Sequence, residues 1–188
     1  MKPGGSRRPF WVRFLSAIPL LLTASLLPAA SPTEYDVKLA YLYNFTKFIS
    51  WPDSKFAAPD APLNICVVGK LPETETTNSL TQRKTRNHPI AVLHLEHPAD
   101  APCHILFLTR SASQRQLMAA LQTAGPATLL VGETRDFARD TGIIGFVTDE
   151  RHRIRIEVNL EKARQQDLNI RAQLLEIARK VYRDEEKS

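Results

Sequence analysis

Between Cys103 and Thr148 the chain alternates short apolar runs with helix-length amphipathic segments, which restricts it to a narrow set of folds. Cys103–Leu108, Thr128–Val131 and Ile143–Thr148 read as strands. Between them, Ser113 caps a helix that reaches about Thr123 and is closed by Gly125-Pro126, and 134–139 reads as a second, short helix. A β-α-β-α-β succession favours parallel strands joined by right-handed crossovers, so the expected class is α/β.

The flanking segments extend that reading. Leu63–Gly69 reads as a buried strand and Pro89–Leu95 as another, with a polar stretch at 70–87 that holds one short helix near 74–82. Arg153–Val158 alternates strictly: Ile154, Ile156 and Val158 face one way, Arg153, Arg155 and Glu157 the other. Such a strand keeps one face in the core and turns the other to water or a partner. Asp149–His152 has the length of a hairpin connection. Two helices, capped by Asn159 and Asn169, close the chain. In the second, Ile170, Leu174, Ile177 and Val181 make a stripe beside Leu175, Ala178 and Tyr182.

At the other end, Thr33 and Asp36 form a capping-box variant that opens a helix running to about Ser50, where Trp51-Pro52 stops it. Tyr35, Leu39, Leu42 and Ile49 recur at helical spacing, and so do Val37, Tyr41, Phe45 and Phe48. Two apolar stripes imply a helix covered over most of its circumference. The expectation is a single compact domain over 33–183. Its mixed, largely parallel sheet is flanked by helices, an aromatic-rich helix leads it, and a charged tail follows at 184–188.

Residues 1–30 read as a secretory signal peptide. Lys2, Arg7, Arg8 and Arg13 precede an apolar run from Phe14 to Leu27, then small residues, with cleavage expected near Ala29 or Ala30. The run is shorter than the roughly 20 residues of a membrane span. The expected location is therefore the periplasm, as a soluble exported protein. Four of the 25 basic residues and none of the 20 acidic ones precede Ser31, leaving 21 basic against 20 acidic in the remainder. That balance removes the main support for nucleic-acid binding. Two cysteines, Cys66 and Cys103, form an even set in a compartment where disulfides persist. A bridge between them would stabilise the fold by about 3–4 kcal/mol on the chain-entropy model; two free buried thiols are the alternative.

Several stretches together resemble the YfiR-like family of periplasmic regulators. They are Tyr35 to Pro52, Ile65-Cys66-Val67-Val68-Gly69, Cys103 to Leu108, Gly142 to Val147, Ile156 to Leu160, and Leu174 to Ala178. The resemblance implies a periplasmic α/β protein without catalysis. It also implies restraint of an inner-membrane diguanylate cyclase through that enzyme's periplasmic domain, with an outer-membrane lipoprotein able to sequester the regulator. It pairs Cys66 with Cys103 as a disulfide. The chain departs from the family's best-known member in lacking a second cysteine pair, since 137–146 contains none. Redox sensitivity credited to that second bridge has no counterpart here.

The search for chemistry in the residues themselves is mostly negative. No nucleotide-binding glycine motif, nucleophile elbow or zinc-protease motif occurs, so no cofactor is expected. His94, His97 and His104 are weak metal candidates, and a solvated or singly hydrogen-bonded role is the default reading. Tyr43 and Phe48 are candidates for a partner or dimer interface, because aromatics dominate buried anchors. Arg155 and Glu157, outward on the alternating strand, are a second interface candidate. The expected partners are an inner-membrane diguanylate cyclase or sensor kinase, possibly the lipoprotein, and a second copy of the chain. The alternative function is a small-ligand-binding module that feeds a membrane sensor.

Overall fold

The most apolar runs of the chain become its central strands. The computed structural model describes residues 31–72, 75–98 and 101–183. The expected signal peptide and charged tail lie outside those residues. In the first half of the chain, α1 (Glu34–Phe48), β1 (Ile49–Ser50), β2 (Leu63–Val68), α2 (Glu75–Thr81), β3 (Lys84–Thr85) and β4 (His88–Leu95) follow one another. Next come β5 (Ile105–Leu108), α3 (Gln114–Thr123), β6 (Leu129–Gly132), α4 (Phe137–Asp140) and β7 (Ile144–Thr148). The chain continues through β8 (Ile154–Asn159), α5 (Leu160–Gln165), β9 (Asn169–Ile170), α6 (Ala172–Glu176) and β10 (Lys180–Tyr182).

Eight strands form one sheet in the order β10-β8-β7-β6-β5-β2-β4-β3. β4, β2, β5, β6 and β7 run parallel, β8 returns antiparallel to β7, and β10 lies parallel to β8. This is the α/β sheet expected from the β-α-β-α-β run. A two-stranded ladder pairs Ile49 with Ile170 and Ser50 with Asn169.

One face of the sheet carries the larger core. Leu39, Leu42 and Phe45 of α1 pack there with Ile65, Val67, Ile105, Phe107, Phe146 and Ile156. Each such side chain, fully buried, is worth about 1.5–3 kcal/mol. Phe45 stacks on Phe146 at 6.1 Å, and Phe107 meets Phe146 edge-on at 5.7 Å. The other face carries a smaller core of Cys66, Val68, Leu106, Leu108, Leu130 and Phe137 under α3. The Cys66–Cys103 disulfide lies within it.

The caps follow the expected chemistry at three sites. Thr33 and Asp36 form the capping box of α1, Ser113 and Gln116 that of α3, and Asn159 accepts from the Lys162 N–H. Four boundaries differ. α1 ends at Phe48, because Ile49 and Ser50 pair with β9. The polar stretch before β4 contains β3, which folds back on His88 and Pro89. The helix expected at 134–139 starts only at Phe137, after a left-handed Asp136. The closing helix capped by Asn169 does not form: Asn169 is a strand residue, α6 stops at Glu176, and 180–182 joins the sheet. β8 would otherwise end the sheet with unpaired backbone groups, and pairing with the Val181 and Tyr182 segment overrides a helical periodicity.

Candidate functional site

In a doubly wound sheet the place for a ligand is the crevice at the carboxyl ends of the strands, where the strand order reverses. Here that point lies between β2 and β5, and the chain's own groups fill it. Gly69 adopts φ +96°, and a Cβ there would sit 2.2 Å from Thr109 Oγ1. The Lys70 N–H donates to Ser111 Oγ at 2.6 Å, closing the two loops together.

Beside it lies a buried ionic cluster that the sequence reading missed. Lys38 Nζ sits 3.2 Å from Glu133 Oε2, and their side chains are only 2% and 1% exposed. Lys38 also pairs with Glu34, one turn earlier on α1. The Arg110 backbone N–H donates to Glu133 at 3.1 Å and the Tyr35 hydroxyl donates to it at 3.5 Å. The Lys38 hydrogen bond holds the Glu34 carboxyl below its ordinary range. Burial, and then the Glu133 charge, push the Tyr35 phenol up. A buried pair of this kind is costly to break, because removing one partner strands the other's charge. The cluster therefore clamps α1 onto the ends of β5 and β6. A signal existed in the sequence: Lys38 interrupts the stripe of Leu42, Phe45 and Ile49 at helical spacing, and a lysine buried there calls for an acidic partner.

The two interface candidates lie on opposite faces of the sheet. Ile154, Ile156 and Val158 point into the α1 core, so Arg155 and Glu157 point to the other face. Glu157 accepts a hydrogen bond from the Tyr182 hydroxyl at 2.9 Å. Burial and that bond push the Tyr182 phenol up to about 12. Arg155 is half-buried, with no ion-pair partner among the described residues. β8 is an interior strand, because β10 occupies its outer side. The pair thus belongs to the sheet face on which α4 packs, and not to a sheet edge.

Tyr43 and Phe48 are both half-buried and pack against the larger core. The Tyr43 ring also lies under two cations, Lys47 at 4.1 Å and Arg83 at 4.9 Å. Phe45 and Trp51, from the same aromatic-rich stretch, are buried in the core, and Tyr41 packs against it beside Phe45.

The histidines do not converge. His94 and His97 are exposed near the carboxyl end of β4, whereas His104 is 3% exposed and lies just ahead of β5. Among the described residues no group of three His, Cys, Asp or Glu side chains is placed to hold a metal. His104 is instead structural. Its Nδ1 accepts the Asn64 N–H at 3.0 Å, so the ring proton sits on Nε2. Burial, followed by the Lys55 and His88 charges, pushes its pKa down to about 4. Phe56 stacks on His88 at 3.8 Å and lies 4.4 Å from His104. The same corner opens into a cleft of about 480 Å³ lined by Trp51, Phe56, Arg86 and His88.

Among curated proteins, none matches the chain in sequence. A crystal structure of a conserved domain protein from Vibrio cholerae O1 biovar El Tor matches at 12% identity and a TM-score of 0.44, over 81% of this chain and 61% of that one. The chain thus spans less than two thirds of that protein. The family model described as YfiR/HmsC-like matches residues 35–179, from the first turn of α1 to the residue before β10. The chain belongs to the YfiR/HmsC-like family.

Proposed function

We propose that this protein is a non-catalytic periplasmic regulator that binds and represses an inner-membrane signalling enzyme, a diguanylate cyclase, through that enzyme's periplasmic domain. The family is one of periplasmic regulators. The observation that carries the reading is the contrast between a ligand crevice closed by Thr109 and Ser111, with the Lys38–Glu133 cluster beside it, and a half-buried Arg155 on the sheet face opposite α1 that has no ion-pair partner among the described residues. A surface of that kind suits docking by shape and charge. Repression then follows from preferential binding to the partner's inactive conformation, limited by the difference in affinity for its two states. Sequestration by an outer-membrane lipoprotein would compete for the regulator. Among the described residues no helix is long and apolar enough to cross a membrane.

The test joins two measurements. Membrane proteins are captured on the purified regulator, and cyclic-di-GMP is measured after deletion of the coding sequence. A captured cyclase and a raised nucleotide level are expected; an unchanged level with no cyclase captured overturns the reading. The cleft of Trp51, Phe56, Arg86 and His88 favours one second reading, a binding module for a small aromatic or apolar molecule. A thermal-shift screen, repeated on Phe56→Ala, separates it from a purely protein-binding role.

A further inference from the structure

The segment between β1 and β2 crosses one corner of the sheet without joining it. Residues 53–62 form one short turn of 3-10 helix at Asp53–Lys55 and no strand. Pro52, Pro59 and Pro62 stiffen the segment, since each fixes its own φ. Most of it is exposed; Lys55, Phe56 and Ala61 are half-buried, and these three hold it down. Lys55 Nζ donates to the Pro126 carbonyl and to Thr128 Oγ1, both at 2.9 Å. The Ala61 carbonyl accepts from His88 Nδ1 at 2.7 Å. The Phe56 ring lies against His88 at 3.8 Å and His104 at 4.4 Å.

His104 is the anchor that acid would change. Its ring is 3% exposed, its Nδ1 accepts the Asn64 N–H at 3.0 Å, and its Nε2 is buried with no partner among the described residues. A second ring proton can enter only at Nδ1, the atom that faces the Asn64 N–H. Two donors would then oppose each other and a charge would be buried without compensation. The neighbours add to that cost. The segment presents the Lys55 cation and β4 presents His88, and both charges oppose a proton on the ring. β2 offers only the Asn64 N–H, Trp51 stands edge-on at 6.3 Å, and the start of β6 bonds only the His104 carbonyl, through the Leu129 N–H. Asp53 and Asp60 are exposed, and neither forms an ion pair with the ring. Opening the segment returns the ring to water, where it can take the proton.

We propose that residues 53–62 are an acid-released strap, closed by the packing of Phe56 between His88 and His104 and opened when His104 takes a second ring proton. Release uncovers the Trp51 and His104 rings and removes the Phe56 wall of the 480 Å³ cleft. The device does not involve the membrane partner, so either idea can fail alone.

The test is amide hydrogen exchange at pH 7.5 and 4.5, corrected for the intrinsic rate at each pH, on the wild type, His104→Asn and Phe56→Ala. Asn64 and Phe56 report the strap, because their N–H groups bond to His104 Nδ1 and to the Asp53 carbonyl; Phe107 and Val131 report the sheet. The buried ring takes its proton near pH 4 and an exposed one near 6.5, so between those values protons favour the open form. At pH 4.5 the wild type should lose protection at Asn64 and Phe56 by roughly 70-fold, the ratio those two values set, while Phe107 and Val131 stay protected. Asparagine keeps an acceptor where Nδ1 stood and takes no proton, so His104→Asn should remove most of the acid step. Phe56→Ala, which leaves His104 in place, should loosen Asn64 already at pH 7.5. Equal protection of Asn64 and Phe56 at both pH values overturns the proposal. So does an acid step that survives His104→Asn, because another group then drives it. If His104→Asn does not fold, Phe56→Ala decides alone, and unchanged Asn64 exchange at pH 7.5 overturns the strap. Loss of Phe107 and Val131 protection together with Asn64 also ends the idea, because the histidine then supports the whole fold and nothing opens separately.

Discussion

At one end of the sheet β10 contributes three residues, Lys180 among them, and is followed by Arg183; at the other, β4 presents Ala91–Leu95 with no charge. The first edge is short, and Tyr182 ties it back to Glu157. Beside it Ile177 is 44% exposed, and Arg155 is left without an ion-pair partner among the described residues. The second is long and apolar, and among the described residues nothing pairs with the outer side of Ala91–Leu95. Charge decides which partner each edge can take. A short edge carrying cations is guarded against strand addition, while a long neutral one is not.

Both edges depend on one core, so the largest expected effect is common to them. Lys38→Ala should cost about 3–5 kcal/mol, since it leaves Glu133 charged and buried. Urea denaturation measures it, and amide exchange should loosen at β4 and β10 alike. A loss confined to one edge would break the idea of a shared support. Lys38→Met/Glu133→Leu, which removes both charges, should recover most of the loss.

Acid should separate the two ends. The His104 imidazole has a pKa of about 4 when folded and 6.5 as its ordinary value. Between those values the unfolded chain binds the extra proton, so stability falls as pH drops from 6.5 towards 4, by up to about 3 kcal/mol. His104 bonds to Asn64 and lies beside Phe56, which stacks on His88 of β4. Unfolding midpoints at pH 7 and 4.5 test the slope, and His104→Asn should flatten it. Amide protection should fade at β4 before β10; the reverse order would contradict the placement.

Smaller effects belong to the β10 end alone. Tyr182→Phe removes the hydroxyl that Glu157 accepts and should cost about 1–2 kcal/mol, with faster exchange at Lys180–Tyr182 and none at β4. Arg155→Ala should change stability by no more than about 0.5 kcal/mol. Its effect should appear as weaker capture of the membrane partner, measured on the same preparation; unchanged capture removes Arg155 from the docking surface.

Much of this architecture was legible in the residues because it rests on short-range rules. The run from Cys103 to Thr148 gave parallel strands, and Thr33, Ser113 and Asn159 capped the helices that their side chains announced. The strict alternation of 153–158 assigned Arg155 and Glu157 to one face. The site was less legible. That Glu157 is held by Tyr182 required knowing that 180–182 is a strand, and the helical stripe through Ile177 and Val181 pointed elsewhere.

Periodicity, capping residues and the cysteine pair determined the fold class, most element types and the two candidate faces, because each depends on neighbours within a few positions. Only the tertiary structure decided that Lys38 meets Glu133, that β9 captures the end of the first helix, and that β4 is left open while β8 is covered. Those outcomes join residues far apart in the chain. A hydrogen-bonding edge or a buried charge is satisfied by whatever the fold brings to it, and no local pattern records which segment that will be.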